Sequence, residues 1–169
     1  MAEASELEAV LRTLERVARN GQWPSRQLAR EVLLALGAWM RESGSDATPL
    51  ERVRKAGRAL STRWDEVVRA ELSLSCAEFV QSVDPRYLGI PNYDRDYTRA
   101  ARARLEDRLR AAGALGFALD AKEVEMLALA DQVWSAHLQG TAADGSPPPR
   151  AGEPAVQQEK TSSKNRSLN

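Results

Sequence analysis

The chain has 169 residues, 43% of them hydrophobic, which is enough to bury the core of one compact domain, or of two small ones plus a tail. Its 24 basic and 24 acidic residues give a formal net charge of zero, so no bulk field draws it to nucleic acid or anionic lipid, and any such binding must come from a local patch. One cysteine, Cys76, and one histidine, His137, exclude an internal disulfide and a cysteine-based zinc site, and no cofactor or metal is expected.

No apolar run approaches the roughly 20 residues that span a bilayer, and Met1 to Glu8 lacks the basic start and apolar middle of a signal peptide. Nucleus or cytoplasm is the expected compartment, with no membrane partner. Ser5 and Glu8 have capping-box spacing, and Leu7, Val10, Leu11, Leu14 and Val17 then recur at helical intervals up to Asn20 and Gly21. That is a first amphipathic helix. After a turn at Trp23, Pro24 and Ser25, the positions Leu28, Ala29, Val32, Leu33, Leu36 and Trp39 cover the broader apolar arc of a more deeply buried second helix.

The stretch Thr48 to Leu72 reads as one long third helix. Thr48 suits its N-cap, Pro49 its first turn and Glu51 a capping box, while Val53, Ala56, Gly57, Leu60, Trp64, Val67 and Val68 share one stripe. Ser75 and Glu78 mark the start of a short fourth helix ending at Asp84 and Pro85. Residues 84–93 contain two prolines and a glycine yet carry Tyr87, Leu88 and Ile90, an apolar strap over the bundle or a joint between two halves.

Asp94 to Ala112 is the fifth helix, with Tyr97, Ala101, Leu105 and Ala112 inward and Gly113 as its stop. Asp120 and Glu123 box the start of a sixth, with Val124, Leu127, Ala130, Val133, Trp134 and Leu138 inward. From Thr141 onward the composition is that of a disordered tail. The expected architecture is all-α: a bundle of about six helices, with an N-terminal bundle (1–83), the strap (84–93), a helical pair packed on it (94–140) and a tail (141–169).

Little points to enzymatic chemistry. Cys76 and His137 both fall on apolar helix faces and read as packing residues; no Gly-rich phosphate loop occurs; most carboxylates can pair on helix surfaces, as Glu51 with Lys55 and Asp65 with Arg69 can. On the fifth helix Arg95, Arg99, Arg102 and Arg110 share a face that could track phosphates, diluted by Asp94, Asp96 and Asp107. The four tryptophans read as core, Trp23 least so, and an exposed one could anchor a groove.

Val53 to Val68, VRKAGRALSTRWDEVV, resembles the last helix of the N-terminal domain of the elongation factor TFIIS, shared with elongin A and a Mediator subunit. Small and apolar residues there lead to a signature Leu and Trp before an apolar pair, here Ala56, Leu60, Trp64, Val67 and Val68. The likeness spans about Ser5 to Leu72. The zinc ribbon that gives TFIIS its transcript-cleavage activity has no counterpart, so the resemblance implies a helical bundle that docks short segments of transcription regulators. The expected function is a non-enzymatic protein-protein interaction module, or a subunit of a larger complex, taking a peptide or helix in a groove at Trp64, Leu60, Tyr87, Leu88 and Ile90. The alternative is nucleic-acid binding by the arginine face of the fifth helix.

Overall fold

The structure, a computed structural model, describes residues 2–43, 46–83 and 95–144, with side chains over 5–42, 46–83 and 95–139. Among these the chain is all-α: α1 (Ala2–Arg19), α2 (Arg26–Ser43), α3 (Thr48–Leu60), α4 (Thr62–Ser82), α5 (Arg95–Leu115) and α6 (Ala121–Asp144). The expected strap with Tyr87, Leu88 and Ile90, and the chain from residue 145 on, lie outside the described residues. The last helix passes its expected end at Gly140 and runs to Asp144.

The long third helix is in fact two. Leu60 ends α3, and Ser61 turns the chain with φ 55° and ψ −136°, so that α4 starts at Thr62 and continues through the expected break near Ser75 to Ser82. Ser61 donates its N–H to the Gly57 carbonyl (2.8 Å) and accepts the Trp64 N–H (3.0 Å), which satisfies the backbone across the break. A side chain at this φ is strained. Ser61→Gly is therefore expected to raise the urea midpoint, by about 1 kcal/mol of stability after the flexibility of the unfolded glycine is offset; a lower midpoint would refute the strain.

Helix ends follow local chemistry, though not always the expected residue. Asp120 and Glu123 form the anticipated reciprocal box, each side chain accepting the other's N–H at 2.8 and 3.0 Å. Gly21, at φ 61°, closes α1 with Gln22 N–H on Val17 and Gly21 N–H on Ala18. The same pattern closes α5 at Gly116 (φ 89°), not at Gly113, which lies inside the helix. At α3 the Thr48 hydroxyl makes no capping bond; instead the Asp46 carboxylate accepts the Thr48 N–H (2.9 Å), and the Thr48 side chain, followed by this N–H, holds the Asp46 carboxyl below its ordinary range. Ser5 lies within α1, and Glu8 turns to Arg12 and Arg52 instead of boxing it.

The main core gathers Leu11 and Leu14 of α1, Val32, Leu33 and Leu36 of α2, Val53 and Leu60 of α3, Val68 and Leu72 of α4, and Ala111 and Ala112 of α5. Each buried leucine contributes about 1.5–3 kcal/mol. A smaller cluster of Phe79, Val83, Leu105, Ala130 and Trp134 seats α6 on α4 and α5. Helix α5 thus belongs to both clusters and shares the core of the N-terminal helices.

Its inner face is rotated from expectation: Thr98, Ala101, Leu105, Arg108 and Ala112 are buried, while Tyr97 is exposed and donates to Glu78 at 3.0 Å. On α6 the inner residues are Leu127, Ala130 and Trp134, whereas Val124 and Leu138, expected inward, are exposed. Glu51 pairs with Arg54 rather than Lys55, and Arg69 stands over the Phe117 ring rather than on Asp65.

Arg52 clamps α3 to α1. Its guanidinium reaches Glu8 (2.6 Å) and Glu15 (2.7 and 3.0 Å), and these hydrogen bonds, above all else, hold both carboxyls below their ordinary 4.5. Because the folded values are depressed, the unfolded chain takes up protons first; the stabilisation is complete above that value and is lost as pH falls through the lower folded values. Between about pH 5 and 3 the wild type is expected to lose stability more steeply than Arg52→Met, which starts lower at pH 7. Parallel pH curves from urea melts would refute the clamp.

Candidate binding cleft over Trp64

After the turn at Ser61 the Trp64 indole packs against α3 at Gly57. A β-carbon on Gly57 would stand 2.7 Å from Trp64 Cδ1, closer than carbon atoms approach, so the ring packs there because residue 57 has none. Beside this contact opens a cleft of about 510 Å³, walled by Arg54 and Arg58 of α3, by Trp64 and Asp65 of α4, and by Leu115 and Phe117 at the end of α5.

Phe117 is set by the close of α5: its N–H bonds the Ala112 carbonyl at 2.9 Å, one residue past the left-handed Gly116. Arg69 covers the ring at 5.7 Å from the centroid. Arg54 ties the walls together by donating to the Ala114 carbonyl (2.8 Å), one of the last carbonyls of α5. Arg58, on the same wall, makes no ion pair among the described residues.

Trp64 is 3% exposed, and nothing among the described residues accepts its indole N–H. The nitrogen itself is not sealed off, so water, or a ligand in the cleft, can take its hydrogen bond. The cleft therefore combines an apolar aromatic floor, an unused donor and a cationic rim. Its other polar side chains are Ser61, Thr62 and Asp65.

Of the other expected partner residues, Leu60 is wholly inside the core and cannot meet a ligand, and Tyr87, Leu88 and Ile90 lie outside the described residues. The exposed tryptophan is Trp23, at 62%, with the Arg63 guanidinium 5.9 Å from its ring. Arg54, Arg58 and Phe117 carried no sequence signal, although Gly57, one turn before Leu60 in an apolar stripe, marked a close approach.

The arginine row of α5 is largely spent on the protein itself. Arg99 bonds Asp96 (2.7 Å), Arg102 bonds Asp131 through two nitrogens (2.8 and 3.1 Å) and stacks on Phe79, and Arg110 bonds Asp107 (2.7 Å) and Glu106 (3.1 Å). Arg95 is exposed at the start of the helix. A guanidinium already held by a carboxylate must give up that partner to neutralise a phosphate, and so adds little to the release of cations from a nucleic acid.

Cys76 and His137 do not converge. The Cys76 thiol faces the Glu123 carbonyl at 3.8 Å, and His137 is 14 residues further along the same α6, about 21 Å at the helical rise. Burial pushes the thiol up, away from the reactive thiolate, and the imidazole down, the latter helped by Arg95. No group of three or more His, Cys, Asp or Glu side chains among the described residues could hold a metal, and no helix among them is long and apolar enough to cross a membrane.

Compared with protein families, with curated proteins and with solved structures, the chain matches none.

Proposed function

We propose that this chain is a non-enzymatic protein-protein interaction module, which takes a short segment of a partner in the cleft over Trp64. The observation that carries the reading is the cleft itself, where Trp64 and Phe117 form an apolar wall beside the unpaired Arg58 and the indole N–H, accepted by nothing among the described residues, stays open to solvent at the edge. A segment with an apolar side chain for the floor, a backbone carbonyl for the indole and a carboxylate for Arg58 fits this chemistry. The resemblance of Val53 to Val68 to the TFIIS N-terminal domain supports the same role in a transcription-related complex, in the nucleus or cytoplasm, although the break at Ser61 sets Leu60 and Trp64 on two helices.

The test is a tagged pull-down from nuclear and cytosolic extracts with the wild type and Arg58→Glu, with and without nuclease. Proteins retained by the wild type, resistant to nuclease and lost from Arg58→Glu support the cleft. Retention unchanged by Arg58→Glu overturns it. Loss of everything on nuclease treatment favours the alternative reading, nucleic-acid binding through Arg95, Arg99, Arg102 and Arg110.

A further inference from the structure

Helix α6 is apolar on two sides. The inner side, with Leu127, Ala130 and Trp134, rests on the small cluster. On the outer side Met126 is 38% and Leu129 56% exposed, Val133 is half-buried and Ala136 exposed, and with Gly140 they follow at intervals of 3, 4, 3 and 4. That is the spacing a two-stranded helix pair uses, here over two heptads. A solvent-facing helix normally carries charge on its outer side. Here Gln132 to Ala143 contains no Asp, Glu, Lys or Arg, and Asp131 is already bound to Arg102.

We propose that this seam pairs with the same seam of a second copy, antiparallel, about a two-fold axis level with Asp131. Two features of the seam select that occupant. A two-fold interface sets a surface against itself, and because Met126, Leu129, Val133, Ala136 and Gly140 carry no charge, no like charges meet along the seam.

The second feature is a gradient of size. Large side chains, Met126 and Leu129, occupy the first half, and small ones, Ala136 and Gly140, the second. Antiparallel pairing sets Met126 against Ala136 and Leu129 against Val133, so that large meets small along the whole contact. Parallel pairing would set Met126 on Met126 and leave a gap at Gly140. The antiparallel register also brings Lys122 level with Gly140 of the other copy, near the negative end of that helix.

The experiment is sedimentation of the full chain from about 1 to 200 µM, with circular dichroism melts alongside. The wild type is expected to pass from monomer to dimer over this range, and Leu129→Glu to weaken the dimer at least about 100-fold while melting as the wild-type monomer does, since Leu129 lies mostly in solvent. For register, Met126→Cys and Ala136→Cys are made singly and mixed under oxidation. A disulfide formed in the mixture and not by either alone is the antiparallel result. A chain monomeric at every concentration overturns the proposal. A dimer indifferent to Leu129→Glu, or Met126→Cys joining to itself, overturns it equally.

Discussion

Gly37→Ala is expected to cost about 3 kcal/mol or more, at the upper end of what overpacking does. At this position α2 crosses α5 so closely that a β-carbon would stand 1.9 Å from the Asp107 carbonyl oxygen, 2.4 Å from its carbonyl carbon and 2.8 Å from its α-carbon. The obstruction is backbone, which has no rotamer to offer, so the two helices must part by more than an ångström. Parting draws Ala111 and Ala112 away from the core and pulls the Asp107 carboxylate from Arg41, which now holds it through two oxygens at 2.8 and 2.6 Å. Gly113→Ala is the matched control. It lies in the same α5, a β-carbon there meets nothing within 4 Å, and the substitution is expected to be neutral or to stabilise by about 0.5–1 kcal/mol. Urea melts of the two variants decide the matter; equal stabilities would mean that the crossing is not tight.

Glu71→Ala is expected to cost about 3–5 kcal/mol. The Glu71 side chain is 1% exposed and one of its oxygens accepts from Arg30 Nε (2.8 Å) and Ser75 Oγ (3.1 Å), with Arg108 Nε 4.0 Å away. Ser75 in turn accepts from Arg108 Nη1 at 2.9 Å. Arg108 is 4% exposed, and burial already draws its affinity for the proton down against the pull of Glu71.

Without Glu71, a buried cation is left with a hydroxyl and distant charge. Arg30 suffers less, since its side chain is about one-third exposed and can turn to water. The double variant Glu71→Leu with Arg108→Met, apolar and similar in volume, is therefore expected to recover most of the loss. A Glu71→Ala melt within about 1 kcal/mol of wild type, or a double variant no better than the single one, would show that the network is not what holds α2, α4 and α5 together.

The six-helix architecture was legible because its signals are local. The box at Asp120 and Glu123 and the stop at Gly21 need only residues three to five apart. The break at Ser61 was not legible, for a geometric reason: Leu60 and Trp64 are four residues apart, so the apolar stripe continues in phase across it, and no Gly or Pro marks it. All the stripe residues from Val53 to Val68 are buried as read, but on two helices instead of one.

Polar residues in the core hid the true face of α5, because a search for apolar periodicity passes over Thr98 and Arg108. On α6 the opposite held: with apolar residues on two sides, periodicity could not choose between them. Trp64 was found from sequence, whereas Phe117 and Arg54 meet it only through the fold, from opposite sides in the chain.

Cys76 gives the attachment of α6 a chemical clock. It is the single thiol of the chain, buried on α4 with its sulfur against the Glu123 carbonyl at the start of α6. A disulfide reagent can reach it only when that contact opens, and where reclosing is fast the labelling rate measures the open population. Labelling faster than whole-chain unfolding allows would mean that α6 lifts off by itself while the main core stays shut. If two copies are joined along α6, each holds the other's helix down, and the thiol should grow more resistant as the protein becomes more concentrated.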